Sequence, residues 1–508
     1  MHIFGLFLLG AARFFLPSSF FCFTIKKDDF PAVAAARGTQ KEVRLLSIFH
    51  VHHHHPKERP NQRQRMLEEP IPPLICSLAV PTIISMMVTS IYNMADTYFV
   101  SQLNTSASGA VGVVFSVMAI IQAVGFTIGM GAGSIASRLL GQDKQEEANT
   151  YASSAVLAAL VLGITLSVLG LLNADPLMWA LGSTETIYPY ALSYSRFILL
   201  GAPAMILSFT MNNLLRWQGK ANLSVIGLAT GGILNMFLDP LLIFVFDMGI
   251  AGAGAATMIS QFVSMSILAS FFLFKRSDLR VSPACVARTP KVYLTIFKQG
   301  MPSFFRQSVL SLATMSLNFN AKVYGDAAVA ALSIVSKLFT MINSTIIGFG
   351  QGFQPVLGYN YGAGRTDRMK QALVFSLKVC TSILTVLAII GLLFSTPIIS
   401  FFRDDPAVIE IGIRAFRYQC FVLPLGAISV FSNMFFQSLG KSWRATLLAI
   451  CRQGMVIPMV FLLAGPFGLT GVEISRAMGD LAAFLVSALI FLHYFRTEFK
   501  SDIQSKSN

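Results

Sequence analysis

Charged residues are scarce in this chain of 508 residues. Only 12% of its residues are charged, whereas 54% are hydrophobic. One soluble core could not bury so many apolar side chains, so the composition excludes an ordinary soluble protein and indicates that the lipid bilayer is the solvent. The six cysteines have no paired spacing, which argues against a metal site and is typical of reduced residues used in packing.

The motifs of nucleotide-dependent and metal-dependent enzymes are also missing. The glycine-rich GMGAG at 129–133 lies inside an apolar segment and lacks Gly-Lys-Ser/Thr, so it is not a phosphate loop. After the histidine run at 52–55, only His493 remains, and it is peripheral. We therefore expect no primary ATP pump, no enzyme and no cofactor. Membrane topology explains the net charge of +14, so we expect no nucleic-acid partner.

The sequence does contain a series of apolar segments, each long enough for the ~20 residues that a helix needs to cross a bilayer. These segments predict an all-α membrane protein with twelve transmembrane helices. Spans 1 to 12 cover residues 74–101, 107–137, 151–173, 187–213, 222–246, 250–274, 293–322, 328–360, 371–396, 408–436, 443–465 and 468–495.

Basic residues fall mainly in alternate loops. Loops 2/3, 4/5, 6/7, 8/9 and 10/11 hold fifteen Lys and Arg residues, whereas the opposite loops and the outer helix segments hold five. Basic loops stay in the cytoplasm. We therefore expect a multi-pass protein of the plasma membrane with both termini cytoplasmic. Its partners would be the lipid bilayer and small-molecule substrates, and it would function as a monomer.

The two halves of the chain repeat each other at an offset of 221 residues. The matching pairs are Pro81 and Pro302, Gly129 and Gly350, Gly141 and Gly362, Arg196 and Arg417, and Pro203 and Pro424. After an apparent indel of two residues, GIAGAG at 249–254 matches GLTGVE at 468–473. Each copy has six spans, so both copies enter the membrane from the same side. Such parallel repeats are typical of alternating-access transporters.

The predicted domains follow from this repeat. A six-helix lobe at 66–274 is joined by a cytoplasmic linker at 275–292 to a second six-helix lobe at 293–500, and residues 501–508 form a tail. Residues 1–65 do not fit the pattern, and we interpret them as an atypical leader that is not native, with the functional chain beginning at Met66. A targeting segment and an extra span are the alternatives.

Three motifs and the six-plus-six arrangement resemble the multidrug and toxic compound extrusion (MATE) family, in its MepA-like, DinF-related branch. The motifs are YNMADTYFVSQL in span 1, RWQGK after span 4 and NMFLDP in span 5. The resemblance covers about residues 66–500. It implies alternating-access export of organic, often cationic and aromatic, compounds by H⁺ or Na⁺ antiport. The alternative is a flippase for a lipid-linked saccharide or another amphiphile, which would favour a wide basic cavity; none is evident in the sequence.

Two acids lie inside the predicted spans of the first repeat, where an ionised carboxylate costs about 3 kcal/mol or more unless it is paired, protonated or facing a cavity. Asp239 follows Asn235 by one turn, so both lie on one helix face, and Pro240 would kink the helix beside them. Asp96 in span 1 lies at a similar depth, roughly 8 to 11 Å from the outer end. Neither acid recurs in the second repeat. We therefore predict an ion-coupling site for H⁺ or Na⁺ at Asp96, Asn235 and Asp239, with a structural, kink-capping acid as the alternative.

The resemblance adds Asn212 and Thr257 to this site, because the family has two acids with Asn and Thr in its N-terminal lobe. Thr257 has a compatible depth, whereas Asn212 lies near the inner end of span 4. In span 12, Arg476 and Asp480 are expected to neutralise each other as a structural pair, with a second ion site as the alternative. Arg306 is expected to lie near the inner start of span 7 and to reach lipid headgroups. Spans 7 and 10 are expected to hold no acid.

Overall fold

The computed structural model describes residues 61–499, and throughout these residues the regular elements are helices, with no strand. A π-helix, Leu241–Val245, follows α7. The helices up to the linker are α1 Gln62–Glu68, α2 Ile71–Ser101, α3 Thr105–Gly141, α4 Gln145–Leu172, α5 Ala174–Ala180, α6 Tyr188–Trp217, α7 Ala221–Pro240 and α8 Gly249–Leu273.

The second half has the same order of long helices. A short 3-10 turn, Pro283–Cys285, precedes it, and another, Leu423–Leu425, interrupts its fourth span. The helices are α9 Pro290–Lys322, α10 Asp326–Gly362, α11 Thr366–Leu393, α12 Ser395–Ser400, α13 Pro406–Val422, α14 Gly426–Leu439, α15 Ser442–Gly454 and α16 Val456–Thr497.

Within the described residues, ten helical segments are long and apolar enough to cross a membrane. One of them, Ser442–Thr497, has 56 residues, which as a straight helix would extend about 84 Å, far more than the ~30 Å hydrocarbon core. It turns back at Gly468, whose φ of 58° is not helical, so it makes two crossings. The remaining span is α9, which is long enough with 33 residues but less apolar. The prediction of twelve transmembrane helices in two six-helix repeats is confirmed.

Glycines bring the two lobes together at positions related by the repeat. In α3, a Cβ at Gly131 would overlap the carbonyl oxygen of Ile296 in α9, and in α10 a Cβ at Gly352 would meet the backbone of Ala79 in α2. Gly131 and Gly352 are 221 residues apart. The lobes therefore contact each other twice through equivalent surfaces, where the absence of a side chain lets the helix backbones touch.

A second pair of glycines closes the inner ends of α3 and α10. A Cβ at Gly141 would overlap the carbonyl of Tyr359, and a Cβ at Gly362 would overlap the carbonyl of Arg138. Both pairs obey the 221-residue offset. This reciprocal crossing, like the first, brings the two repeats together about a common axis.

The short helix α1 bridges the two lobes at the same inner face. Arg63 donates from Nε to the carbonyl of Leu140 in the first lobe at 3.2 Å. Asn360 in the second lobe donates from Nδ2 to the carbonyl of Met66 at 3.1 Å. The leader boundary that we predicted at Met66 falls inside this helix, and Arg63, ahead of that boundary, contributes to the bridge.

Replacing Gly131 by alanine tests the crossing of the lobes. We expect Gly131→Ala to lower the thermal unfolding temperature of the purified protein, because the added methyl forces apart two backbones at a cost of about 1–3 kcal/mol. Gly112→Ala is the matched control on the same helix, since nothing lies within 4 Å of the added methyl. Equal unfolding temperatures for the two variants would contradict the proposed contact.

Candidate functional site

Four helices place polar side chains at one depth in the N-terminal lobe. Asp96 is five residues before the end of α2, and Asn235 and Asp239 are in the last two turns of α7. Tyr194 lies in the second turn of α6 and Thr257 in the third turn of α8. Because α2 and α7 end at the face where α6 and α8 begin, these five side chains meet. We call them the acid cluster.

The amide of Asn235 connects two other members of the acid cluster. Its Nδ2 donates to Asp239 Oδ1 at 3.1 Å and lies 3.3 Å from Thr257 Oγ1, to which it also donates. These contacts join α7 to α8. The one-turn spacing of Asn235 and Asp239 that the sequence showed therefore corresponds to a direct hydrogen bond.

Tyr194 connects the second acid to the same cluster. Its hydroxyl donates to Asp96 Oδ2 at 3.3 Å and lies within electrostatic reach of Asp239. The sequence analysis missed this residue. One signal could have revealed it: Tyr194 has the same depth as Asp96, and the equivalent position in the second repeat is Ala415, so the tyrosine shares the asymmetry that singled out the acids.

Three oxygens of the acid cluster are buried and have no hydrogen-bond partner among residues 61–499. They are Asp96 Oδ1, Asn235 Oδ1 and Asp239 Oδ2. Asp239 is 0% exposed and Asp96 is 8% exposed. Buried carboxylate oxygens without partners are unfavourable. Oxygen ligands of this kind fit a proton or a small hard cation such as Na⁺.

The backbone beside Asp239 departs from α-helical geometry where the sequence predicted a kink. α7 ends at Pro240, and the π-helix Leu241–Val245 continues from it. Proline removes one hydrogen-bond donor from the helix, and π turns, which are rare, occur frequently at functional sites. After this turn, Asp247 adopts a φ of 52° and the chain enters α8. The irregular turn brings Thr257 opposite Asn235.

Asn212 does not belong to the acid cluster. Its Nδ2 donates to the carbonyl of Ser224 at 2.9 Å, between α6 and α7. The second repeat contains the same contact, because Asn433 donates to the carbonyl of Ala445 at 2.5 Å, and both residues follow their counterparts by 221. A contact that occurs in both lobes is typical of packing.

Arg476 and Asp480 in span 12 lie within electrostatic reach of each other, as expected, but they do not form a direct ion pair. The carboxylate of Asp480 accepts from Gln419 in α13, and Arg476 donates from Nη1 to Ser336 Oγ in α10 at 3.1 Å. No salt bridge within 4.0 Å joins Arg476 to Asp480 in the described part of the chain. Both side chains instead contact other helices, because a kinked lobe offers neighbours that a single straight helix does not.

Two further expectations about the C-terminal lobe are wrong. α9 begins at Pro290, so Arg306 lies in its middle, sixteen residues or about 24 Å from either end. Arg306 is therefore not near the start of its helix, and its reach to the lipid headgroups stays a prediction. Span 10 does hold an acid: Glu410 in α13 pairs with Arg414 at 2.6 Å, with an exposed carboxylate.

Two comparisons of sequence cover most of the chain. A family model described as MatE matches residues 81–241 and again residues 302–462, which is the offset of the repeat. The multidrug export protein MepA of Staphylococcus saprophyticus is 27% identical over 413 residues, which cover 81% of this chain and 91% of that protein. The protein of the same name from Staphylococcus aureus is 28% identical over 431 residues, 83% of this chain and 95% of its own length.

Solved structures agree with these matches. A crystal structure of MATE in complex with MaL6 superposes with a TM-score of 0.81 at 25% identity, over 88% of this chain and 100% of that one. An outward-facing multidrug resistance MATE family transporter of the MOP superfamily gives the same score and identity over 89% of this chain and 100% of that one. The helical order and the pairing of the lobes are therefore similar to those of known transporters.

The repeated asparagine contact can be tested by comparing its two copies. Asn212→Ala and Asn433→Ala should lower the thermal unfolding temperature by similar amounts. Each variant removes one buried interhelical hydrogen bond, at a net cost of about 0.5–1.5 kcal/mol. Thermal unfolding of the purified variants and the wild type measures the change in unfolding temperature. If Asn212→Ala left the unfolding temperature unchanged while Asn433→Ala lowered it, the packing role of Asn212 would be refuted.

Proposed function

The chain belongs to the MatE family, whose model matches more than half of its residues, and we propose that it is a multidrug exporter driven by antiport of H⁺ or Na⁺. Its substrates are organic compounds, often cationic and aromatic. The named relatives export drugs. The acid cluster is the one observation that carries the coupling part of the proposal.

In this proposal the coupling ion binds at the unpartnered oxygens of Asp96 and Asp239. A proton or Na⁺ there removes the cost of two nearby buried carboxylates, and it links α2, α6, α7 and α8 through one set of contacts. When the ion leaves, the carboxylates of Asp96 and Asp239 repel each other and move apart. The ion thus has different free energies in two arrangements of these helices, which is the requirement for a ligand to shift a conformational equilibrium.

The contacts between the lobes support alternating access. The glycine crossings lie at symmetric positions around one axis, and each involves backbone against backbone without interlocking side chains. Parallel repeats in transporters move as rigid lobes about a site near the membrane midplane. We propose that the lobes rock about the crossings at Gly131 and Gly352, opening the space between them to one side at a time.

We further propose the plasma membrane as the location, with both termini in the cytoplasm, as the distribution of basic residues indicates. One chain contains both lobes and the acid cluster, which supports function as a monomer. The partners are small-molecule substrates and the bilayer, with no nucleic acid. The proposal includes no catalytic step and no cofactor apart from the transported ion.

A flippase for a lipid-linked saccharide or another amphiphile is the second candidate. One observation favours it: Arg306 and Arg476 lie deep in the second lobe, and neither pairs with a carboxylate among the described residues. Basic side chains in a cavity suit a phosphate-bearing lipid. Export of a soluble dye from lipid vesicles by the purified protein separates the two candidates.

Cys285 offers a test of the orientation, because it lies in the loop between α8 and α9. A membrane-impermeant maleimide should leave Cys285 unmodified in intact cells and modify it after the membrane is opened. Glu185→Cys, in the exposed loop between α5 and α6, is the matched control and should react in intact cells. Mass spectrometry of the two peptides measures both. Modification of Cys285 in intact cells would show that this loop faces the outside and would contradict the predicted orientation.

Asp239→Asn tests the coupling site. The amide keeps the size of the side chain and its hydrogen bonding but cannot exchange an ion. Export driven by an ion gradient, per folded protein in vesicles, should therefore fall by about tenfold or more, the usual scale of coupling between sites. Asp96→Asn should behave similarly, and the double variant should be little worse than either, because groups that act as one site are not additive.

Asp247→Asn is the matched control for these variants. It is the same substitution at an exposed position eight residues further along, and asparagine tolerates its φ of 52°. Export should stay at the wild-type rate. Wild-type export by both Asp96→Asn and Asp239→Asn would show that these acids are structural.

A further inference from the structure

Three arginines lie deep inside the C-terminal lobe, each on a different helix. Arg306 is in the middle of α9, Arg452 is about 15 Å from the inner start of α15, and Arg476 is about 12 Å beyond the turn at Gly468. We call them the arginine cluster. Ionisable residues at such depths face a cavity or the interior of the bundle and mark substrate or ion pathways.

Arg452 connects the charges of the arginine cluster. Arg306 lies within electrostatic reach of Arg452, and Arg452 lies within reach of both Arg476 and Asp480. All three arginines are partly accessible, and none is in the tightly packed core.

The hydrogen bonds of the arginine cluster use only neutral partners. Arg452 donates from Nη2 to Asn343 Oδ1 at 2.8 Å, and Arg476 donates from Nη1 to Ser336 Oγ at 3.1 Å. Arg306 has no hydrogen bond or salt bridge to any residue in the range 61–499. A guanidinium has five N–H donors. Most N–H groups of the arginine cluster therefore make no hydrogen bond within residues 61–499 and could donate to a bound anion.

The acids nearby do not balance these charges. Within residues 61–499, Asp480 is the one carboxylate in electrostatic reach of the arginine cluster, and Gln419 already donates to it. Glu473, one turn before Arg476, binds Arg414 at 2.9 Å. Three positive charges thus meet one negative charge. In a medium of low dielectric constant an uncompensated charge is costly, and an anion would relieve that cost.

The repeat shows that these charges are not needed for lobe packing. At the offsets of the repeat, Arg306 corresponds to Ser85 and Arg452 to Gly231, while Arg476 corresponds to Thr257. The equivalent positions in the first lobe are neutral, yet that lobe has the same helical fold. Thr257 is itself a member of the acid cluster. Arg476 thus occupies in the second lobe the position that a member of the acid cluster occupies in the first.

We propose that the arginine cluster binds the acidic group of the exported compound, so that the substrates include organic anions or zwitterions. This inference rests on the proposed export function and specifies its substrate class. Carboxylate, sulfonate and phosphate groups all match the planar fork of arginine. Phe304 and Phe305, next to Arg306 and partly accessible, suit the apolar body of such a molecule.

Two dyes with one ring system test the proposal: a sulfonated rhodamine, which is anionic, and a rhodamine ester, which is cationic. The full chain in phosphatidylcholine vesicles should bind the sulfonated dye, measured by fluorescence polarisation. Arg452→Gln and Arg476→Gln should weaken that binding by about tenfold or more, because each removes charge-assisted hydrogen bonds. Binding of the cationic dye should change by less than about twofold, the size of small surface effects.

Two further variants separate binding from folding. Arg306→Gln breaks no hydrogen bond or salt bridge within residues 61–499, so it should fold normally and still weaken binding of the sulfonated dye. Arg196→Gln removes an exposed arginine in the other lobe and should change neither dye. If the wild type fails to bind the sulfonated dye, or if the arginine variants lose both dyes equally, the proposal is wrong.

The source of the acidic group is a separate measurement. Vesicles that contain phosphatidylglycerol should compete with the dye if a lipid phosphate is the natural occupant, and should not compete if it is a soluble anion; both results agree with an anion site. Gradient-driven export of the cationic dye without binding of the sulfonated dye would leave the exporter intact and refute this inference. Binding of the sulfonated dye without gradient-driven export of either dye would support the anion site and refute the proposed export function.

Discussion

The reciprocal packing of glycines between the lobes is the contact on which the rest of the structure depends. Gly131 with Ile296, and Gly352 with Ala79, place two backbones against each other at equivalent positions. In a bilayer the hydrophobic effect does not drive helices together, so close packing at small residues supplies the attraction. It holds two lobes of six helices about one axis, and it leaves their interiors free to carry different chemistry.

The lobes use that freedom for charges of opposite sign. The first lobe contains Asp96 and Asp239 among hydroxyl and amide groups, and the second contains three arginines with Asp480. Each arrangement is unfavourable in a medium of low dielectric constant, and each is relieved by a ligand of the opposite charge. An exporter with an ion in one lobe and an acidic substrate group in the other would have two separate binding sites.

Several features followed from local patterns that tertiary packing did not alter. Asn235 and Asp239 lie one turn apart, so they had to lie on one helix face, and Pro240 had to disturb the helix beside them. The long apolar spans had to be helices, since every backbone polar group in lipid needs an internal partner. Thr257 was found through the family resemblance and joins the same cluster. Other residues were misplaced: Arg306 because the start of α9 was set three residues late and its depth misjudged, and Asn212 because the motif said nothing about its neighbours.

The sequence by itself determined the helices, their number, their repeat and the depth of the acids, because all of these depend on the length and composition of single segments. Only the tertiary structure decided which side chains meet. Tyr194 reaches Asp96 from a residue 98 positions away, and Asp480 takes its hydrogen bond from Gln419 in place of its neighbour Arg476. Such contacts depend on the rotation of each helix about its axis and on the turns at Pro240 and Gly468, and packing between helices sets both.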